Sequence, residues 1–184
     1  MEVKHLPMAE LAAGLGPIRH APADRGCLEL IVRRPAIGER QVLATGELDP
    51  VVGLVGDNWS TRGAAATPPR VPNPQAQLTL MNSRVAQLVA GDRGRWPLAG
   101  DQLYVDLDLS LTNLPAGTQL AIGSAVIEVT AEPHTGCRKF VERFGADAMA
   151  WVNSETGRAL CLRGINSKVI RAGRIRVGDT IAKC

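Results

Sequence analysis

A chain of 184 residues with a formal net charge of +3 is long enough for one domain with its own core, without disulfides or metal to staple it. Aromatic residues are scarce (three Trp, two Phe, one Tyr), so the core has to come from Val, Leu, Ile and Ala, and a base-stacking nucleic-acid surface is not expected. Cys27, Cys137, Cys161 and Cys184 form no C-x-x-C pair, which argues against a zinc knuckle, an iron–sulfur site or a thioredoxin motif, and no run approaches membrane-spanning length. Leu11-Ala12-Ala13 is too short and too broken by glycine and proline to be a signal core, so a cytoplasmic, reducing setting with neither membrane nor nucleic acid as partner is the expectation.

In chain order, Met8 to Leu15 reads as a short helix, and Pro17, Pro22 and Gly26 mark an irregular lead-in over residues 1–27. Residues 28–184 form the body. Leu28 to Arg33 and Gln41 to Gly46 alternate as strands, and 53–77 reads as a long loop containing Asp57-Asn58-Trp59 and Pro68, Pro69, Pro72 and Pro74. A loop of that length inside a compact body is either disordered or functional, and its part from Asp57 to Gly63 points to function, since Trp59 is a large ring to leave exposed for none. Gln77 to Met81 is a strand; Asn82 or Ser83 then caps a helix with Val85, Leu88 and Val89 on its apolar stripe, ended by Gly91.

Gln102 to Leu107 is the next strand, and Gln119–Ile122 with Ala125–Thr130 reads as a hairpin across Gly123-Ser124. A helix is expected after Thr135, its plausible cap, with Cys137 in the first turn and Phe140, Val141 and Phe144 facing inward. Asp147 is expected to cap a second short helix through Trp151. Strands return at Ala159–Arg163, Lys168–Arg171, and Arg174–Val177 with Thr180–Lys183 across Gly178-Asp179. Gly100-Asp101 and Gly178-Asp179 both feed an alternating strand, a corner device in which Gly supplies positive φ and Asp closes the turn. Many short strands with few helices predict a mainly β (α+β) fold, a distorted mixed β-barrel with short peripheral helices.

The charge is unevenly placed. No Lys or Arg falls between Arg95 and Arg138, and the segment from Arg138 to Arg176 is strongly basic, which reads either as a solvated basic face or as a site for a small anionic ligand; 17 of the 21 basic residues are Arg, whose planar fork suits phosphates. Cys137, in Pro133-His134-Thr135-Gly136-Cys137-Arg138-Lys139-Phe140, stands beside two cations near a helix start, conditions that favour a thiolate. The other reading is a small packed hydrophobe.

Gly53-Leu54-Val55-Gly56-Asp57-Asn58-Trp59, Gln77-Leu78-Thr79-Leu80-Met81-Asn82, Ala99-Gly100-Asp101-Gln102-Leu103, the Cys137 octapeptide, and Gly173-Arg174-Ile175-Arg176-Val177-Gly178-Asp179, in that order, resemble the MOSC domain, named for the C-terminal domain of molybdenum cofactor sulfurases. The resemblance implies a distorted β-barrel and one key cysteine that carries sulfur or ligates molybdenum held by a pterin dithiolene. Cys137 matches that position. The resemblance further implies molybdenum cofactor as ligand, Arg138, Lys139 and Arg163 near its phosphate, His134 in the same binding set, and Asn58 and Trp59 lining the pocket. Pyridoxal phosphate belongs to fused sulfurase domains and is not expected to bind this chain.

The leading expectation is thus a stand-alone bacterial-type MOSC protein that binds the cofactor or carries sulfur on Cys137, with reduction of N-hydroxylated compounds as its enzyme version. A sulfur donor or an electron-transfer protein is the partner this implies. A metal-free thiol redox or sulfur-relay protein and a non-enzymatic binding module are the alternatives.

Overall fold

In the computed structural model, which describes residues 5–62 and 71–184, β1 (Gly26–Arg33) is the seam at which a sheet closes on itself. It pairs with β6 (Leu103–Asp106) on one side and at its start with β11 (Thr180–Lys183) on the other, antiparallel in both cases. The circuit continues from β11 through β7 (Gln119–Ile122), β8 (Ala125–Val129), β9 (Ile165–Arg171) and β5 (Leu78–Asn82) back to β6, giving a closed seven-stranded barrel. Only β5 and β6 are parallel, and a parallel pair needs a crossover. That crossover carries α4 (Ser83–Ala90), whose first N–H groups bond Asn82 Oδ1 and whose end is set by Gly91 at φ 73°. Seven strands and short outer helices are the mixed barrel the sequence predicts.

The alternation of β1 explains how one strand serves two cores. A register shift between Leu28 and Leu30 sends Leu28 and Ile31 into the barrel and Leu30 and Val32 outward. Inside, Leu28, Leu80, Leu103, Leu120 and Ile127 are fully buried. Outside, Met81 and Tyr104 pack with Val85 and Ala86 of α4, and with Phe140 and Phe144 of α5 (Arg138–Phe144) and Trp151 of α6 (Ala146–Val152). Both clusters exclude water from apolar area, at ~25 cal/mol per Å².

Several expectations change at local conformational signals. The first helix is two, α1 (Met8–Ala13) and α2 (Leu15–Arg19), divided at Gly14. Gln41 to Gly46 splits at Ala44 into β2 (Gln41–Leu43), beside β1, and β3 (Thr45–Asp49), which joins a small second sheet with β4 (Gly53–Leu54) and β10 (Gly173–Arg176). β10 and β11 therefore sit in different sheets rather than forming a hairpin. The loop expected over 53–77 contains β4 and α3 (Trp59–Arg62); Gly63, Pro68 and Pro69 of that expectation lie outside the described residues.

Ala159–Arg163 is not a strand. Ser154 Oγ accepts from the Gly157 N–H at 3.0 Å and starts α7 (Glu155–Ala159), after which the chain turns through Cys161 at φ 49° and Gly164 at φ 108°. The side-chain alternation of Leu160 and Leu162 is real, but the cap and the positive-φ turn decide the backbone. Among the described residues no helix is long and apolar enough to cross a membrane.

Candidate functional site

The strap 130–137 leaves β8 and crosses the barrel wall before α5. It is tied at three points: Thr130 Oγ1 donates to the Gln75 carbonyl, Asn166 Nδ2 donates to the Glu132 carbonyl at 3.1 Å, and the Gly136 N–H donates to Asn153 Oδ1 at 3.1 Å. At position 136 a Cβ would come within 2.4 Å of Met149 Sδ, so the strap lies this close to α6 because the residue is glycine. Cys137 itself, rather than Thr135, is the N-cap of α5; its side chain makes no capping bond and is exposed at the edge of a cavity.

That cavity, about 340 Å³, lies between the barrel wall and α5. Arg34, Arg40, Lys139, Arg143, Arg163 and His134 line it together with Cys137. Two of the cations are neutralised from behind. Arg34 grips Asp57 through Nε and Nη2, both at 2.9 Å, and donates Nη1 to the Gly100 carbonyl. Arg163 donates Nη1 to Asp101 Oδ2 at 2.7 Å and Nη2 to the Ala99 carbonyl. Both carboxylates are sealed from solvent. The pairs act as struts: Asp57 also accepts from the Trp59 N–H, and Asp101 lies 3.5 Å from His134 Nδ1.

Arg40, Lys139 and Arg143 have no carboxylate partner among the described residues. Arg40 bonds only carbonyls, those of Pro97 and Glu39, and burial, then Arg143 and Arg34, push its pKa below the ordinary range. Such a cluster is electrostatically incomplete and attracts an anion. His134 is pushed down to about 3, first by burial and then by Arg163, and is therefore a neutral imidazole. His134 Nδ1, Asp101 Oδ1 and Arg163 Nε are buried with no hydrogen-bond partner among the described residues.

Of the residues singled out in the sequence, Cys137, His134, Lys139 and Arg163 come together on this cavity. Arg138 does not: its side chain is 93% exposed and pairs with Glu142 at 3.1 Å on the solvent face of α5. Asn58 and Trp59 stand behind the wall, next to Asp57, with Trp59 buried and Asn58 Oδ1 buried without a partner. Sequence reasoning missed Arg34 and Arg40, marked Asp57 only as part of a loop that points to function, and took Asp101 for a turn residue. Arg143, which the sequence turns towards water or a ligand but does not place in the binding set, lies one helical turn after Lys139. Asp179 does close its turn, accepting from the Arg176 N–H.

The chain is thus a closed mixed barrel whose outer wall carries an exposed thiol beside three cations that have no carboxylate partner among the described residues. The MOSC domain family matches residues 73–182, and the chain belongs to that family. Its fold is similar to that of the YuaD protein from Bacillus subtilis, with TM-score 0.63 and 19% identity over 85% of this chain and 93% of that one. It is also similar to YiiM from Escherichia coli (0.54, 19%, 86% and 69%) and YiiM from Geobacillus stearothermophilus (0.52, 12%, 88% and 73%). No functionally curated protein matches significantly.

Proposed function

We propose that this chain binds molybdenum cofactor, with the Cys137 thiolate as the protein's ligand to the metal and Arg40, Lys139 and Arg143 holding the phosphate. The observation that carries this reading is the coincidence, on one cavity, of an exposed thiol with three cations that lack carboxylate partners. The residues fit the group. A soft thiolate suits molybdenum, guanidinium forks suit a phosphate, and His134 on the cavity wall offers a hydrogen-bonding ring to a polar pterin. Among the described residues no three His, Cys, Asp or Glu side chains gather as a metal cluster, so a metal here would bring most of its ligands with it.

When bound, the cofactor supplies two-electron oxygen-atom chemistry. The reaction this favours is reduction of an N-hydroxylated compound: the N–O bond breaks, two electrons arrive from an electron-transfer protein, and of two protons taken up one joins the hydroxyl to leave as water while the other replaces it on nitrogen. The chain's own part is to bind and orient. Arg34 and Arg163 stay fixed by Asp57 and Asp101, and neutral His134 presents a hydrogen-bonding ring without adding charge to an already cationic wall.

Protein produced in cells that make the cofactor should carry about one molybdenum per chain, and Cys137→Ser should lose it. Metal retained undiminished by the serine variant refutes Cys137 as ligand. The exposure of Cys137 favours a second reading, carriage of sulfur as a persulfide, which intact mass of the metal-free protein after incubation with a sulfur donor would reveal.

A further inference from the structure

On the other side of the same strap lies a second cavity of about 550 Å³, within the size range of small-molecule sites. Its floor is aliphatic: Leu114, Val129, Val152 and Ile165 are buried there, and Leu111 and Ala116 stand at its exposed edge. Glu132, His134, Thr135, Arg163 and Asn166 line both cavities, so the two share one wall. Charge is segregated across that wall. On the first side three cations lack a carboxylate; on the second, Arg163 is cancelled by Asp101, and Arg158 and Glu132 offset each other in sign. Cys161 on this side is no competing nucleophile, because burial, then Asp108, pushes its thiol up to about 11.

We propose that this second cavity is the substrate compartment of the cofactor site, and that it takes an uncharged organic molecule whose apolar body lies on Leu114, Val129, Val152 and Ile165 and whose polar end meets His134 and Asn166 in the shared wall. An anion goes to the basic side and a neutral body to the aliphatic side. The inference rests on the reading of the basic cavity as a cofactor site, but its first test does not need the cofactor.

N-phenyl-1-naphthylamine, a neutral probe that fluoresces in apolar surroundings, should bind the metal-free protein saturably at one site. Ala116→Trp fills the cavity edge from an exposed position, and Leu111→Asp places a charge there; each should weaken the probe about tenfold or more, the order expected from ~1.5–3 kcal/mol of lost apolar contact. Inorganic phosphate affinity should be unchanged in both, whereas Arg143→Ala should weaken phosphate and leave the probe alone. In cofactor-loaded protein Ala116→Trp should raise KM for an N-hydroxylated aromatic with molybdenum content unchanged. Absence of saturable probe binding, or indifference of probe and KM to Ala116→Trp, overturns the compartment; loss of molybdenum dependence on Cys137 would instead sink the cofactor reading, so the two failures are distinguishable.

Discussion

Inside the barrel, Leu28, Leu80, Leu103 and Ile127 pack as plain aliphatic side chains, whereas in the cleft between the barrel wall and α5, Arg34, Asp57, Asp101 and Arg163 are buried as two ion pairs. The first arrangement gains from water exclusion alone. The second removes four charges from water and recovers that only through well-made hydrogen bonds, an arrangement that an aliphatic replacement of equal volume commonly matches or betters in stability. The difference teaches that burying these charges gains little for folding that aliphatic side chains would not supply. Three cations of the cleft have no carboxylate partner among the described residues, and on the proposed reading a ligand would complete the balance there.

The comparison breaks most clearly at Asp101. Asp101→Asn strands the buried Arg163 guanidinium and should lower stability by about 3–5 kcal/mol, while Asp101→Leu with Arg163→Met should recover most of it at some cost in phosphate affinity, because the wall beside Arg40, Lys139 and Arg143 loses its fixed strut. Denaturant unfolding paired with phosphate titration checks this; a double variant with undiminished phosphate affinity would show the pair to be purely structural. Leu80→Ala in the interior should cost ~2–5 kcal/mol, and here no second substitution in the cleft should restore it.

The barrel was legible from sequence because its evidence is local: Leu120 and Ile122, then Ala125, Ile127 and Val129, write their own periodicity, and Gly123-Ser124 joins them as the expected hairpin. The cleft was legible only where chemistry announces itself, at Cys137 and its neighbours. Arg34 and Arg40 flank a turn after β1 and look like ordinary surface charges; nothing local says that Asp57, 23 residues after Arg34, will bury one of them. Arg138 was overvalued for adjacency, since a helix places neighbours about 100° apart and sends Arg138 to solvent while Lys139 and Arg143 turn to the cavity.

Three further measurements sharpen the contrast. His134 is neutral in the fold with its pKa held near 3, whereas the unfolded side chain titrates near 6.5. Above about pH 6.5 both states are neutral; as pH falls from there towards 3 the unfolded state takes up a proton that the native state refuses, so stability present above 6.5 is lost. Melting curves over that range should therefore slope less steeply for His134→Gln than for the parent. Arg143→Ala should weaken phosphate by about tenfold, with a smaller salt dependence and little change in stability. Arg138→Ala, the smallest effect, should leave both phosphate affinity and melting temperature unmoved, because its partner Glu142 is also exposed.

The account stands on the sulfur of Cys137 being taken up when the cofactor is present. Alkylation with iodoacetamide, read by peptide mass mapping in metal-free and molybdenum-loaded protein, tests that directly, with exposed Cys184 as the internal control. Cys137 should be modified in the metal-free chain and protected in proportion to molybdenum content, while Cys184 reacts equally in both. Equal modification of Cys137 with and without the metal would contradict the account.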